Sequence, residues 1–202
     1  MHRLLDVLAS GVHDTKNQLF FAESQIAEAE ARHGIDLAEA RYAIEAAAKR
    51  LSRTLAAYHL LRNDATLAVV PVVVADLCDE VVLDQQKHLA HGGIALTHSC
   101  SVRDEWPFDR DLIADVLNNA VQNAGRHARS RVCMTAWDEG GTLCFRIEDD
   151  GPGYADPVNG RSTGLIVAER VASLHERQGR HGSMHLSNGG ELGGAVFELR
   201  LP

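Results

Sequence analysis

The chain has 202 residues, a formal net charge of −8, 45% hydrophobic residues and 24% charged residues. This composition predicts a packed core rather than a disordered chain, and the acidic balance argues against a nucleic-acid-binding surface. No apolar run reaches membrane-spanning length, and no signal peptide is visible. The four cysteines are widely spaced and form no CxxC pair, so we expect reduced thiols in a cytoplasmic protein.

The first third of the sequence predicts two long helices. Residues 3–32 contain no proline, and their apolar residues recur at helical spacing. After a break at "RHGID", Asp36 and Glu39 form a capping-box pattern that predicts a second helix over residues 36–62. Each helix carries an apolar stripe that a single hairpin leaves uncovered. We therefore expect a homodimer in which two copies form a four-helix bundle.

After Asp64 the pattern changes, and strands begin to alternate with helices. Strands are predicted over residues 66–74, 93–100, 131–137, 142–149, 182–188 and 194–202, and helices over residues 75–90, 109–128 and 164–177. Glycine pairs between consecutive strands predict hairpins, which make the sheet mixed. The predicted fold class is α+β, with a helical hairpin over residues 1–66 and an α/β sandwich with helices on one face over residues 67–202.

A polar helix face is the first candidate for chemistry in the second region. In "NNAVQNAGRH", Asn119 and Asn123 are four residues apart and share one face. Arg126 and His127 follow one turn further on. A carboxamide oxygen is a reasonable ligand for a hard cation that also holds phosphate oxygens. The alternative is an ordinary polar helix face.

Two glycine-containing stretches follow this helix. In "IEDDGPGY", Asp149 ends a strand and precedes Gly151 and Gly153. Its carboxylate can accept a hydrogen bond from the exocyclic amine of a base, and the glycines let a flat ring approach the backbone. The alternative is an acidic β-turn. In "GRSTGLIVAERV", residues 160–171, small residues precede a helix N-terminus, where free amides and the helix dipole favour phosphate. This last signal is weak by itself.

The order and spacing of the three stretches resemble the ATP-binding domain of the histidine kinase, gyrase and heat-shock chaperone superfamily, which has a Bergerat-type fold. The resemblance covers residues 67–202 and implies ATP and magnesium as ligands. It implies that Asn123 binds magnesium and that Asp149 recognises adenine. It also implies further nucleotide-binding residues, namely Asn119, Arg126, His127, Gly151, Gly153, Ser162, Thr163, Gly164 and Leu165.

The second glycine box departs from the usual pattern of that superfamily. Ser162 stands where a glycine is usual, and the segment between Gly153 and Ser162 is short and lacks a phenylalanine box. We therefore expect the lid over the nucleotide to be absent or reduced and the phosphate cradle to be weaker. Asn119 also stands where many relatives of the short-lid type carry glutamate.

The first helix contains "HDTKNQL", which resembles the histidine box of sensor histidine kinases. The resemblance implies that His13 accepts a phosphoryl group and that Asn17 positions the water that dephosphorylates a partner response regulator. Neutral imidazole is a nucleophile whose pKa lies near working pH. Asp14 can orient the ring and take the proton that is lost on attack.

The leading hypothesis is therefore a soluble two-component histidine kinase core. It would phosphorylate His13 from ATP and pass the group to the receiver-domain aspartate of a response regulator, with phosphatase activity as a further option. The alternative is a phosphotransfer relay with a degenerate domain that does not use ATP. An anti-sigma-type serine kinase ranks last because it leaves the helical hairpin unexplained. Since only twelve residues precede His13, we expect input from a separate sensor protein or from a longer protein of which this is a piece.

Overall fold

The computed structural model describes the backbone of residues 2–44, 47–48, 51, 67–156 and 163–202. Side chains before Thr15, and those of residues 16, 17 and 163, lie outside the description. The chain divides into two units, Met1–Ala65 and Thr66–Pro202. The predicted short lid, Ser162 and most of the second half of the predicted second helix fall outside the described residues.

The first unit consists of two helical segments separated by a turn. Helix α1 spans His2–His33, and Gly34 follows it with a φ of 62°. This left-handed conformation is a common way to end a helix. Helix α2 is described over residues 38–44, 47–48 and 51. The break predicted at "RHGID" is confirmed.

Side chains at the turn explain where α2 begins. The Asp36 carboxylate accepts a hydrogen bond from the Ala38 N–H at 3.0 Å, which satisfies a free amide of the first turn. Arg41 of α2 reaches back to α1, where it donates to Glu23 at 2.8 Å and pairs with Glu30 at 3.3 Å. The two helical segments therefore lie side by side next to the turn, as a helical hairpin requires.

The second unit is built on a mixed sheet. Its elements are β1 (Val69–Val73), α3 (Val74–His91), β2 (Ala95–Cys100), β3 (Glu105–Asp109), α4 (Arg110–His127), β4 (Arg131–Asp138), β5 (Leu143–Asp149), α5 (Thr163–Leu174), β6 (Glu176–Arg177), β7 (Arg180–His181), β8 (Ser183–Asn188) and β9 (Ala195–Leu201). Five strands form the main sheet in the order β2-β4-β5-β9-β8. Only β2 and β4 are parallel within it, so the predicted mixed sheet is confirmed.

The two faces of the sheet differ because side chains alternate along each strand. Met134, Ile147 and Phe197 are neighbours across three strands, and all are buried on the face that packs against the helices. On the opposite face, Arg146 donates to Glu198 at 2.7 Å. Helices therefore cover one face, as predicted. Within the described parts of the chain, no helix combines the length and apolar composition needed to span a membrane.

A second small sheet was not predicted. Strand β3 pairs with β1 in antiparallel fashion, and Pro107 lies opposite Pro71. Proline lacks an amide donor and is depleted in strands, so "EWPFD" carried little strand signal. The ribbon is stable because Trp106 is buried and its indole N–H donates to the Pro202 carbonyl oxygen at 3.3 Å.

The last predicted helix ends earlier than expected. Helix α5 stops at Leu174, and Glu176–Arg177 pair with Arg180–His181 as a short hairpin. The prediction of helix through residue 177 is therefore wrong at its end. The cause is tertiary: the buried His175 ring contacts the Val171 carbonyl oxygen at 2.8 Å through Nδ1, and its Nε2 accepts from the Asp109 N–H at 3.0 Å.

Candidate functional site

Asp149, the last residue of β5, places a buried carboxylate at the edge of the sheet; the residue is only 2% exposed. Its Oδ1 accepts hydrogen bonds from the N–H of Gly151 at 2.7 Å and of Ala195 at 3.2 Å. The N–H of Gly194 donates to the Asp149 main-chain oxygen at 3.0 Å. Oδ2 accepts no hydrogen bond from any described residue, which leaves it available to a donor on a ligand.

Two glycines allow the backbone to close around this carboxylate. A side chain at Gly151 would overlap the main-chain oxygen of His127, at the end of α4. A side chain at Gly194 would overlap both the main-chain oxygen and the carboxylate of Asp149. The end of α4 and the turn between β8 and β9 therefore approach Asp149 too closely for any residue other than glycine.

The neighbouring acid, Asp150, has a different environment. Its carboxylate accepts from the Ser130 hydroxyl at 2.6 Å and from the N–H groups of Arg129 at 2.7 Å, Ser130 at 3.0 Å and Arg131 at 3.1 Å. These hydrogen bonds, of which the one from the Ser130 hydroxyl contributes most, hold the pKa of Asp150 well below its usual range. Asp150 therefore fixes the turn between α4 and β4.

Beyond the second glycine, the chain is attached to the end of β8. Gly153 has a φ of 82°, and a side chain there would come within 2.7 Å of Asn188 Oδ1. Asn188 Oδ1 accepts from the Tyr154 N–H at 2.7 Å, and Asn188 Nδ2 donates to the Tyr154 carbonyl oxygen at 2.9 Å. Burial, and secondarily the Asp149 carboxylate, raise the pKa of the Tyr154 phenol to about 12.

Helix α4 presents the asparagine pair. Asn119 and Asn123 are both half-buried. Gly164, in the first turn of α5, lies so close to Asn119 that a side chain at position 164 would overlap the carboxamide. Leu165 is buried and anchors this helix start in the core. The structure therefore brings the middle of α4 and the N-terminus of α5 together, although 45 residues separate Asn119 from Gly164 in sequence.

Arg126 and His127 lie in the last turn of α4, and both side chains are exposed. Cationic side chains near a helix C-terminus also complement the helix dipole. Their position alone is therefore compatible with a structural role as well as with phosphate contacts. The main-chain oxygen of His127, next to Gly151, is the part of this turn that contacts the Asp149 region.

The donor set fits magnesium only if phosphate shares the ion. Among the described residues, no group of three or more His, Cys, Asp or Glu side chains is arranged to hold a metal ion. Asn123 offers a half-buried carboxamide oxygen. Mg²⁺ commonly keeps waters and takes several ligands from substrate phosphates, so one amide oxygen is sufficient for a shared ion.

Three sequence-predicted residues lie in the other unit. His13, Asp14 and Asn17 fall within α1, and the helical backbone places His13 and Asn17 on the same face. Their side chains are outside the description, as is that of Thr163. Ser162 lies outside the described residues altogether.

Three residues that the sequence motifs do not single out, Asn188, Gly194 and Ala195, supply contacts around Asp149 and Tyr154. They come from "SNGGELGGA", a stretch that by its turn residues predicts only a hairpin. A signal was present: four glycines in six residues are more than a tight turn requires, and they indicate close backbone approach.

Known proteins with related sequences are sensor kinases, although no protein-family model matches the chain. The chain is 28% identical over 153 residues to the two-component sensor PhoQ of Pseudomonas aeruginosa, covering 70% of this chain and 32% of PhoQ. It is 29% identical over 106 residues to the sensor protein kinase CarS of the same organism, covering 52% of this chain and 22% of CarS. The chain thus spans about a third of the length of PhoQ and about a fifth of that of CarS.

Several solved structures with the same fold are histidine kinases. The histidine kinase AdeS of Acinetobacter baumannii matches with a TM-score of 0.67 and 15% identity, over 92% of this chain and 95% of that chain. Full-length ShkA in complex with AMPPNP also matches with a TM-score of 0.67 and 20% identity, over 98% of this chain and 45% of that chain. The resemblance seen in the sequence is confirmed: the chain has the fold of a two-component histidine kinase core and is similar in sequence to sensor kinases.

Proposed function

We propose that the chain is an ATP-dependent protein-histidine kinase that phosphorylates His13 and passes the phosphoryl group to the receiver domain of a response regulator. The observation that carries the proposal is the Asp149 carboxylate. One of its oxygens is held by two backbone amides, and the other accepts nothing from the described residues. A buried acceptor of this kind suits the exocyclic amine of adenine. The similarity to PhoQ and CarS supports the same activity.

The phosphate side of the site suits the rest of the nucleotide. The first turn of α5 lies at a helix N-terminus, where backbone N–H groups and the positive end of the helix dipole favour phosphate. Asn119 lies directly against this turn at Gly164. Asn123 would supply an amide oxygen to a magnesium ion, which when bound neutralises phosphate charge. Arg126 and His127, in the last turn of α4, would add cationic or polar groups to the phosphate side.

The chemistry assigned to the first unit is in-line phosphoryl transfer. An imidazole nitrogen of His13 attacks the γ-phosphorus, the bond to the bridging oxygen breaks, and ADP leaves. Asp14 accepts the proton that the ring loses. The receiver aspartate then attacks the phosphohistidine, which regenerates the ring. Asn17, on the same helical face as His13, would hold the water for dephosphorylation of that aspartate.

Dimerisation is proposed through the first unit. Among its described residues only Ala48 is buried, whereas Phe20 and Phe21 are 53% and 68% exposed. A second copy would cover this apolar surface and complete a four-helix bundle. A cytoplasmic location is part of the same proposal, because ATP and receiver domains are cytoplasmic. Light scattering at micromolar concentration should give a dimer mass, and a monodisperse monomer would contradict it.

The decisive experiment is incubation of the purified chain with γ-labelled ATP and magnesium. We expect an acid-labile, base-stable label on the wild type and none on His13→Gln. The second candidate function is a relay that does not use ATP, favoured by Ser162 in place of the usual glycine. A relay would remain unlabelled and bind no ATP in calorimetry, but it would exchange phosphate with a phosphorylated response regulator.

A further inference from the structure

Asp109 lies where the chain enters the second unit. It is the last residue of β3 and is paired with Val69, the first residue of β1. Its Oδ2 accepts a hydrogen bond at 2.8 Å from the N–H of Ala68, the residue before β1. The first unit ends at Ala65, three positions earlier in the sequence. The carboxylate therefore anchors the connecting chain at its point of entry.

The other carboxylate oxygen holds the start of helix α4. Oδ1 of Asp109 accepts from the Leu112 N–H at 3.2 Å and so caps the helix that carries Asn119 and Asn123. The main-chain N–H of Asp109 in turn donates at 3.0 Å to Nε2 of His175, the residue that follows α5. One residue thus joins the entering chain to both helices on the phosphate side of the proposed ATP site.

The cap of α4 does not by itself require a carboxylate. Serine caps a helix about as well as aspartate, and a neutral hydroxyl would avoid the cost of placing a charge at a residue that is only 7% exposed. A carboxylate has two separate acceptor oxygens, however, and here each of them receives one backbone amide. The hydrogen bond from Ala68 is therefore what distinguishes Asp109 from an ordinary helix cap.

We propose that Asp109 is a positioning residue for phosphoryl transfer, because it fixes the point at which the chain that joins the two units leaves the second unit. The inference rests on the proposed kinase activity and concerns delivery of the γ-phosphate to His13 rather than ATP binding. Each residue released from the anchor adds up to about 3.5 Å of unattached chain. Since misplacement of reacting groups by about 1 Å can cost roughly a hundredfold in rate, loss of the anchor should slow the transfer step.

The test measures two quantities on the full chain: ATP affinity by calorimetry, and the rate of His13 labelling at saturating γ-labelled ATP. Asp109→Ser keeps a capping oxygen for α4 and removes the contact with Ala68. Ala68→Pro removes the other partner, the N–H donor, at a position before a strand where proline is tolerated. In both variants the labelling rate should fall roughly three- to thirtyfold, while ATP affinity stays within about twofold of the wild type.

Two substitutions serve as matched controls, and both should be labelled at the wild-type rate. Asp111→Ser removes a carboxylate from the first turn of the same helix, where the side chain is 94% exposed. Ala68→Val keeps the N–H donor. Hydrogen exchange tests the anchor directly: the Ala68 amide, which belongs to an exposed residue, should be protected in the wild type and should exchange at least about tenfold faster in Asp109→Ser.

A double-mutant cycle completes the test. Asp109→Ser combined with Ala68→Pro should slow labelling no more than either substitution alone, because both break the same hydrogen bond. Additive losses, unchanged labelling rates or an unprotected Ala68 amide in the wild type would each overturn the positioning role and leave the kinase proposal intact. A rate that falls only in step with ATP affinity would also overturn it, since Asp109 would then act as a helix cap alone. A wild type that is never labelled would overturn both proposals.

Discussion

The base side and the phosphate side of the proposed ATP site are built from different groups. On the base side, the protein's own backbone surrounds the candidate carboxylate, since Asp149 accepts from the amides of Gly151 and Ala195. On the phosphate side, the groups are side chains of α4, above all the half-buried carboxamides of Asn119 and Asn123, and Gly164 of α5 lies against Asn119. The base side is therefore organised before any ligand binds, whereas the phosphate side can adjust to one.

The atoms that a side chain would meet at Gly151 and at Gly164 show the same difference between a rigid base side and an adjustable phosphate side. A side chain at Gly151 would meet the main-chain oxygen of His127, which cannot move without moving the end of α4. A side chain at Gly164 would meet the carboxamide of Asn119, which can rotate. Substitutions on the base side should therefore reduce stability or abolish recognition, and substitutions on the phosphate side should reduce affinity alone.

The largest effect is expected from Asp149→Asn. The two backbone amides select the amide oxygen of the new residue, so its NH₂ group takes the place of Oδ2 and faces the exocyclic amine, donor against donor. Losing a charge-assisted hydrogen bond of this kind costs about 1.5–3 kcal/mol, roughly ten- to a hundredfold in affinity. Calorimetry with ATP measures the loss, and labelling of His13 should disappear with it.

Asp150→Asn is the matched control for that substitution, because it removes the same charge one residue further on. It should leave ATP affinity unchanged within the error of calorimetry, since Asp150 is bonded to the turn at Ser130. It should instead lower the midpoint of urea unfolding. If the two variants lost ATP affinity equally, net charge near the site rather than the Asp149 hydrogen bond would be responsible.

The next effect concerns stability on the base side. Gly151→Ala should lower the free energy of unfolding by about 1–3 kcal/mol, the usual cost of inserting a methyl group into a packed region. Gly92→Ala is the control: Gly92 has a φ of −79°, and a side chain there would come no closer than 3.4 Å to Leu89. That substitution should change stability by less than about 0.5 kcal/mol. Equal urea midpoints for the two variants would contradict the rigid base side.

A smaller effect, of a different kind, is expected on the phosphate side. Gly164→Ala should leave the urea midpoint close to that of the wild type, because the Asn119 carboxamide can turn away. The same rotation removes a polar group from the phosphate side, so ATP affinity should fall roughly three- to tenfold. A drop in stability as large as that of Gly151→Ala, with unchanged affinity, would mean that this side is as rigid as the other.

The smallest effect is expected at His175, which belongs to neither side of the site. His175 is buried; burial lowers its pKa from 6.5, against a weaker raising effect of the hydrogen bond to Val171. Nδ1 must donate to the Val171 carbonyl, and Nε2 must accept from the Asp109 N–H, so a second ring proton is disfavoured in the folded state. The unfolded chain then binds this proton more readily, so stability falls as pH decreases from about 6.5 through the lower folded pKa.

Urea unfolding between pH 5 and pH 8 tests this titration. His175→Gln should be less stable than the wild type above pH 6.5, since it loses well-placed hydrogen bonds. Below that pH its stability should decrease less steeply, because the titrating ring is absent. Parallel pH profiles for wild type and variant would assign the acid sensitivity to another group.

Periodicity and turn residues predicted most elements correctly because each of those elements is amphipathic or strand-like over its own length. The long helix at Arg110–His127 and the hairpin of Arg131–Asp138 with Leu143–Asp149 are examples. The misses have tertiary causes. Glu105–Asp109 is a strand because it pairs with β1 and buries Trp106, and α5 ends early because His175 contacts Asp109.

The candidate site likewise has features that local sequence predicts and features that depend on tertiary contacts. The sequence by itself determined that an asparagine pair shares a helical face and that acids followed by glycines end a strand, because spacing along one element is a local property. Only the tertiary structure decided how the adjacent acids differ. The Asp149 carboxylate accepts a hydrogen bond from the Ala195 N–H of the last strand, whereas the Asp150 carboxylate accepts one from the Ser130 N–H in the turn after α4. Hydrogen bonds between segments so far apart in sequence depend on how the strands pair, and no local pattern records that pairing.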